Sequence, residues 1–259
     1  MDIPSLIAEL GSTPSATARA TGLARSTIQR IHKGATSPTL ETLRELALVA
    51  GYDVDVRLIP ASDPAAAVAA RVIADPATPL LDDLESWGAT TSSGELRQIG
   101  EWVGRLGRRV SNDRQGLLQL AGRYSAPQHR KGARFFAPKQ GLTQEQTIEV
   151  AHSALRPLSG ALSGVAAARV YLGHAPDPGP VVAWSTDADM VAERLSATMR
   201  EVDEYQPAGV LVVQTMQAYL FDIMTPPISD QQIVSPIQAA IDLYGLGYDQ
   251  LADEITEGW

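Results

Sequence analysis

A short polar and basic stretch near the beginning of the chain contains residue types that bind nucleic acids. Residues 22–34 read GLARSTIQRIHKG. The side chains of interest are Arg25, Ser26, Thr27, Gln29, Arg30 and Lys33. Amides and hydroxyls pair with base edges, guanidinium groups bind guanine or phosphates, and ammonium groups bind phosphates. This stretch therefore predicts contacts to the edges and backbone of a double helix.

The same stretch has an apolar side that can attach it to neighbouring helices. Leu23, Ile28 and Ile31 are spaced so that a helix would bury them together, away from the polar side chains. Gly34 suits the left-handed position that follows a helix. The pattern predicts a helix over residues 24–33 that begins without a capping Ser, which weakens its start by about 1 kcal/mol.

Further helices surround this one. Residues 5–10 predict a short helix, and Thr13 with Pro14 predicts the start of another over residues 14–20, ended by Gly22. Residues 37–51 predict a fourth helix with one apolar face, formed by Leu40, Leu43, Leu46, Ala47 and Ala50. Residues 52–58 alternate apolar and polar side chains, which predicts a strand.

These features resemble the helix-turn-helix of the lambda-repressor-like (Xre) family. The resemblance rests on the ATGL turn at residues 20–23, the RSTIQRI helix, and the continuation from Gly34 through SPTLETLRELA. It implies that residues 24–33 form the recognition helix. Many family members carry Gln at the start of the preceding helix to contact a phosphate. Pro14 stands there, so Thr13, Ser15 or backbone N–H groups would supply that contact.

Two questions stay open for this segment. Units of three helices with these spacings also dock proteins, so Arg25 or Arg30 could simply be solvated. One such unit buries too little surface for high specificity, which predicts a homodimer on a two-fold operator. The strand of residues 52–58 could pair the two subunits, or it could equally cap its own domain.

The composition limits the remaining classes of protein. The chain has 259 residues, a net charge of −9 and no Cys, which excludes disulfides and thiolate metal sites. No apolar run is long enough to cross a bilayer, and the first residues lack a basic signal-peptide flank, so we expect a cytoplasmic protein. We find no metal-ligand spacing, nucleophile elbow or phosphate loop, and we expect neither enzyme activity nor a cofactor.

The charge is unevenly distributed. Residues 97–139 contain ten basic and two acidic residues, whereas residues 151–259 contain four Arg and fourteen acidic residues. The basic stretch could touch phosphates through Arg108, Arg109, Arg130, Lys131 and Arg134. Alternatively, these side chains pair with the acidic C-terminal part, within the molecule or across a dimer.

We predict an α+β protein of several parts. These are a helix-turn-helix domain (1–59), a linker with short helices near 64 and at 80–87 (60–95), a basic helical segment (96–142) and an α+β domain (143–259). Within the basic segment, Leu96, Ile99, Trp102, Val103 and Leu106 share one helical face, and residues 122–141 suggest a loop or short hairpin.

The C-terminal domain combines predicted strands and helices. Residues 180–185, 209–215 and 218–225 are strand-like, and residues 187–203 predict a helix whose acidic start suits its dipole. Ser235, Pro236 and Gln238 predict a capping box that opens the final long helix.

This domain resembles that of type IV abortive-infection (AbiEi-like) antitoxins. The residues that carry the resemblance are Ser163, the small residues up to Ala167, and Ser235, Pro236, Gln238, Asp242 and Leu243. It implies a repressor of its own operon, with a nucleotidyltransferase-like toxin as a possible partner. The family usually has a winged helix at its N-terminus, which this chain lacks. The alternative is a regulator that senses a small molecule or another nucleic acid.

Overall fold

A computed structural model describes most of the chain, as two compact units, Met1–Ile59 and Pro60–Trp259. The described residues are 13–74, 93–110, 113–139, 141–156, 158–174, 178–206, 208–215 and 231–259. The helices predicted at residues 5–10 and 80–87 and the strand predicted at residues 218–225 lie outside them.

The first unit contains three described helices. They are α1 (Pro14–Thr21), α2 (Arg25–His32) and α3 (Leu40–Val49). Gly22 takes a φ of 73° and donates its N–H to the Ala18 carbonyl, which ends α1 and turns the chain towards α2. Thr39 caps α3 by accepting a hydrogen bond from the Thr42 N–H. The predicted helices at 14–20, 24–33 and 37–51 are therefore confirmed.

Ile28, Leu46 and Ala47 form the buried core of this unit. Leu23, Leu43 and Ala50 are partly buried against it, as the helical spacing predicts. Leu40 is an exception, because 56% of its surface is exposed. It occupies the first position of α3, where no described helix lies over it.

Residues 52–58 do not form the predicted strand. The chain is irregular here, although Val54 still packs on the core of the unit. A strand needs a neighbour for its backbone hydrogen bonds. No described segment pairs with residues 53–59. The alternating pattern is real, but the described residues of the chain do not supply the partner strand that it requires.

The second unit combines eight helices and five strands within the described residues. The helices are α4 (Pro64–Ala74), α5 (Ser93–Arg109), α6 (Arg114–Ser125), α7 (Gln144–Leu155), α8 (Val165–Leu172), α9 (Ala188–Leu195), α10 (Pro236–Leu246) and α11 (Asp249–Thr256). The strands are β1 (Arg134–Pro138), β2 (Gly160–Gly164), β3 (Val181–Ser185), β4 (Met199–Val202) and β5 (Val210–Gln214). This confirms the α+β fold class with a helical N-terminal domain.

The strands form one sheet in the order β2-β3-β5-β1-β4. β3 and β5 are parallel, and the other pairs are antiparallel. Every residue of β2 and β3 is buried, so helices cover both faces of this part of the sheet. The strands predicted at 180–185 and 209–215 are confirmed as β3 and β5.

Two predictions for the sheet are wrong. Residues 134–138, read as part of a loop or hairpin, form β1, which pairs with β5 on one side and β4 on the other. The helix predicted over residues 187–203 ends at Leu195, and β4 follows. Both strands exist because distant segments supply their hydrogen bonds. Asp187 does cap α9, by accepting a hydrogen bond from the Met190 N–H.

The Ala-rich helix predicted within a linker is instead part of the core. Ala65 to Ala70 of α4 are all buried, and α4 packs against α5, α6 and α10. Its small side chains let three helices approach it closely. The predicted apolar face of α5 is confirmed, since Ile99 and Leu106 are buried and Trp102 and Val103 are partly buried.

Helices α6 and α10 cross at two glycines. A Cβ on Gly122 would lie 2.6 Å from the Ile241 carbonyl oxygen and 2.7 Å from the Gly245 nitrogen. Gly245 would meet the Gly122 carbonyl oxygen at 2.8 Å. The backbones therefore touch, and no larger residue fits at either position without moving a helix.

Three of the residues that carried the antitoxin resemblance, Ser163, Gln238 and Asp242, meet in a buried polar cluster. The Asp242 carboxyl group accepts hydrogen bonds from Ser163 Oγ (2.6 Å), Trp184 Nε1 (2.9 Å) and Gln238 Nε2 (2.8 Å). Gln238 Oε1 in turn accepts from Arg71 Nη1 at 2.9 Å. Ser235 caps α10, but the Gln238 side chain takes part in this cluster, so only the Ser half of the predicted capping box forms.

Candidate nucleic-acid interface

Helix α2 has the two-sided character that the sequence predicted. Ile28 and Ile31 are buried, with 1% and 6% of their surfaces exposed. The polar side chains project elsewhere: Arg25, Ser26, Gln29, Arg30 and Lys33 are exposed, and Thr27 is half-buried. A continuous hydrophilic surface therefore remains on the side of α2 away from the core of the unit.

This surface is basic within an otherwise acidic chain. Residues 11–40 contain Arg19, Arg25, Arg30 and Lys33 and no Asp or Glu. Neither α1 nor α2 has an acidic residue in its first turn, so the positive ends of both helix dipoles remain uncompensated. Backbone N–H groups at such ends bind phosphates well. The local charge thus favours an anionic partner despite the net charge of −9.

The beginning of α1 was the predicted source of a phosphate contact. Thr13 occupies the N-cap position, as expected for the residue before Pro14, but its side chain does not cap the helix by a hydrogen bond. Thr13 is exposed and Ser15 is half-buried in the first turn. Both hydroxyls lie beside the N–H groups at this helix end, so the predicted phosphate contact stays open to either of them.

The beginning of α2 also behaves as its sequence indicated. Ala24 is the N-cap residue and offers no side-chain hydrogen bond. Gly34 takes a φ of 68°, in the left-handed region that suits glycine. The helix therefore depends on its two buried isoleucines rather than on strong capping.

The basic residues that were predicted to form a surface in the middle of the chain have different partners in the structure. Arg134 on β1 forms a two-pronged interaction with Glu201 on β4, at 2.7 and 2.6 Å. Its Nη1 also lies 3.3 Å from Asp189 Oδ1. The hydrogen bond to Glu201 raises the pKa of Arg134, and that from Arg134 lowers the pKa of Glu201. For Arg134, these contacts favour the alternative interpretation, in which it pairs with the acidic C-terminal part of the chain rather than with a phosphate.

The other basic residues of the predicted surface differ from one another. Arg130 donates to the Ser125 carbonyl oxygen at 3.3 Å, and its guanidinium group lies over the Trp184 ring. Arg109 donates a hydrogen bond to the Tyr124 hydroxyl. Arg108 and Lys131 are exposed. A role in phosphate binding stays a prediction for these four.

Arg134→Ala should leave DNA affinity and its salt dependence unchanged, because this side chain is already held by two carboxylates. Arg108→Ala should instead weaken binding to every duplex and lower the salt slope by about one unit if it contacts a phosphate. Titrations of the full-length protein with labelled DNA at several salt concentrations compare the two variants directly. A reduced salt slope for Arg134→Ala would show that Arg134 does contact a phosphate.

The buried cluster contains a basic residue that sequence reasoning missed. Arg71 lies in α4 with 2% of its surface exposed, within a segment interpreted as a linker. A single Arg among alanines gives no signal of burial, because its partner Gln238 lies 167 positions away. It belongs to the core of the second unit rather than to the surface of α2.

Comparison with known proteins agrees with this geometry at the N-terminus. A family model described as a helix-turn-helix matches residues 6–56. Neither the curated proteins nor the solved structures contain a significant match to the chain. No helix in the described ranges is long and apolar enough to span a bilayer. The N-terminal unit is thus an Xre-like helix-turn-helix, the domain of a DNA-binding transcription regulator.

Proposed function

We propose that the protein is a sequence-specific regulator that binds its operator as a homodimer through α2. The observation that carries this proposal is the arrangement of α2, which buries both isoleucines and exposes a basic, hydrogen-bonding surface. A helix of this kind fits the major groove, where it can reach base edges.

The side chains of α2 divide by position. Arg25, Ser26 and Gln29 lie in the first two turns, the part of a recognition helix that reaches base edges. Arg30 and Thr27 lie beside them, and Lys33 follows the helix near the DNA backbone. Thr13 and Ser15 at the start of α1 would hold a phosphate. A single unit reads only a half-site, so two copies on a palindromic site supply the required specificity.

Arg25→Ala and Gln29→Ala should each weaken operator binding by about 1–3 kcal/mol and relax the preference at one base pair. The physical reason is the loss of a hydrogen bond to a base edge. The measurement is a titration of the protein's own upstream region, and of single-base variants of it, in a gel-shift assay.

The matched control is Arg44→Ala. Arg44 is an exposed Arg in the same unit, but it lies on α3 and pairs with Asp53 at 3.2 Å. The Arg44→Ala substitution removes the same charge as Arg25→Ala and should change the affinity for the operator little. Equal losses on operator and random DNA would show that Arg25 or Gln29 contacts only phosphates. If both Arg25→Ala and Gln29→Ala bind the operator as well as the unmodified protein, α2 is not the recognition helix.

We further propose autorepression of the antitoxin type. The support is the resemblance of the C-terminal part, together with a second unit that has its own core, separate from the helix-turn-helix. Ser163, Gln238 and Asp242 also have a structural reason to be present, since they build the buried cluster. Expression of the downstream reading frame, alone and with this protein, tests the idea. Toxicity relieved by co-expression supports it, and a harmless product contradicts it.

A cleft in the second unit favours the alternative of a ligand-sensing regulator. It measures about 1100 Å³ and lies between α6 and the end of α10. Arg109, Arg123 and His129 line it together with Asp113 and Asp249. This lining suits a small polar molecule that carries an anionic group. Operator titrations with candidate carboxylate and phosphate metabolites distinguish this function, because only a sensor changes its DNA affinity.

A further inference from the structure

The end of the first unit exposes an unusual amount of apolar surface. Seven large apolar side chains between residues 40 and 59 are solvent-exposed. They are Leu40 (56%), Leu48 (49%), Val49 (40%), Tyr52 (44%), Val56 (58%), Leu58 (97%) and Ile59 (83%). Large exposed apolar patches mark interaction sites. Four of these seven side chains lie close together in the sequence, within residues 52–59.

Among the described residues, the backbone of residues 53–59 makes no hydrogen bond to another backbone group. Tyr52, Val54, Val56 and Leu58 alternate with polar residues, so an extended chain would place them on one face. Val54 already packs on the core of the unit. A second strand would satisfy the backbone and extend this apolar face.

We propose that the missing strand is the same segment of a second copy, paired antiparallel about a two-fold axis at Val56. The two copies would form a two-stranded ribbon over residues 53–59. A homodimer is already part of the proposed function, and the biological role of this interface rests on that proposal. It assigns the dimer to a specific segment and register.

The charges of the segment select this register. An antiparallel pair centred on Val56 places Asp55 opposite Arg57 of the second copy, twice by symmetry, and Val54 opposite Leu58. Asp55 and Arg57 already attract each other within one chain, at 2.7 Å. Opposite charges across a pair of strands stabilise it.

Other registers either oppose like charges or pair no unlike charges. A centre at Asp55 places that carboxylate opposite its own copy, and a centre at Arg57 does the same for the guanidinium group. Parallel pairing in register repeats both repulsions. A shift by one residue turns the apolar face outwards on one strand. A centre at Asp55 also pairs Asp53 with Arg57, but it opposes the two Asp55 carboxylates. The centre at Val56 pairs unlike charges and apolar residues without opposing any like charges.

Cysteine cross-linking tests the axis. The chain has no Cys, so a single introduced thiol has no background. Facing Cα atoms in an antiparallel pair lie about 4.5–5.5 Å apart, within the range that a disulfide spans. Val56→Cys should therefore give a disulfide-linked dimer under mild oxidation. Asp203→Cys, exposed in the second unit, is the control. Cross-linking no faster than this control would overturn the proposal.

A charge exchange tests the register. Asp55→Arg and Arg57→Asp should each weaken the dimer about tenfold, because each places like charges opposite one another twice. The double variant with both exchanges should recover the affinity of the unmodified protein. Sedimentation of the full-length proteins without DNA measures this. A double variant as weak as either single variant would contradict the register.

These measurements do not involve DNA, so they separate two failures. A dimer that cross-links at Val56 but ignores the operator would end the proposed function and leave the interface standing. A protein that binds its operator but stays monomeric, with no cross-link at Val56, would end this inference alone.

Discussion

Ile28→Ala is expected to abolish operator binding by destabilising the whole helix-turn-helix unit. Only 1% of the surface of Ile28 is exposed. Its side chain packs on Leu46 and Ala47 in a small core. Removing a buried Ile side chain costs about 2–5 kcal/mol. A unit this small has little stability in reserve, so α2 would lose the position that presents its polar surface.

The effect should stay within the first unit. All four Trp residues lie beyond residue 59, so their fluorescence reports only on the second unit. We expect helical circular dichroism and operator binding to fall while this fluorescence stays unchanged. Leu40→Ala is the control, since Leu40 is 56% exposed in the same unit. An unchanged gel shift for Ile28→Ala would show that the core does not position α2 as described.

Asp242→Ala is expected to lower the free energy of unfolding of the second unit by about 3–5 kcal/mol. The carboxyl group accepts hydrogen bonds from Ser163, Trp184 and Gln238, and all three donors would lose their acceptor inside the protein. Gln238 also connects this cluster to Arg71 on α4. Urea denaturation followed by Trp fluorescence measures the loss. Asp203→Ala, at an exposed position, should change little.

The difference in free energy of unfolding between the unmodified protein and Asp242→Ala should depend on pH with a definite sign. Burial raises the pKa of Asp242, against the opposing hydrogen bonds and the charge of Arg130. The folded state therefore holds the proton more tightly than the unfolded chain does. The stabilisation from this group is complete below the unfolded pKa and declines as pH rises towards the raised value. The stability difference between the unmodified protein and Asp242→Ala should shrink over that interval, and a constant difference would contradict it.

Local signals were sufficient for most helices of the first unit. Pro14 and Gly22 delimit α1, Gly34 follows α2, and the apolar spacing marks α3. These are effects between residues a few positions apart, which the amino-acid order contains directly. The buried and exposed sides of α2 follow from the same periodicity. The candidate DNA-reading surface was predictable for this reason.

The second unit was less predictable because its elements depend on distant partners. β1 and β4 are short, and neither has a run of β-branched residues. They become strands by pairing with each other, and β1 also pairs with β5. The same holds for Arg134, whose role changes once Glu201 lies on the neighbouring strand. No local pattern contains that information.

The amino-acid order alone determined the helical N-terminal domain, the polar side of α2 and the alternating character of residues 52–58. Tertiary structure alone decided that α4 belongs to the core, that Arg134 pairs with Glu201, and that residues 52–58 have no partner strand among the described residues of one chain. The reason is the range of the interactions. Helix periodicity and capping act within a few residues, whereas strand pairing, burial and ion pairing require segments that only folding brings together.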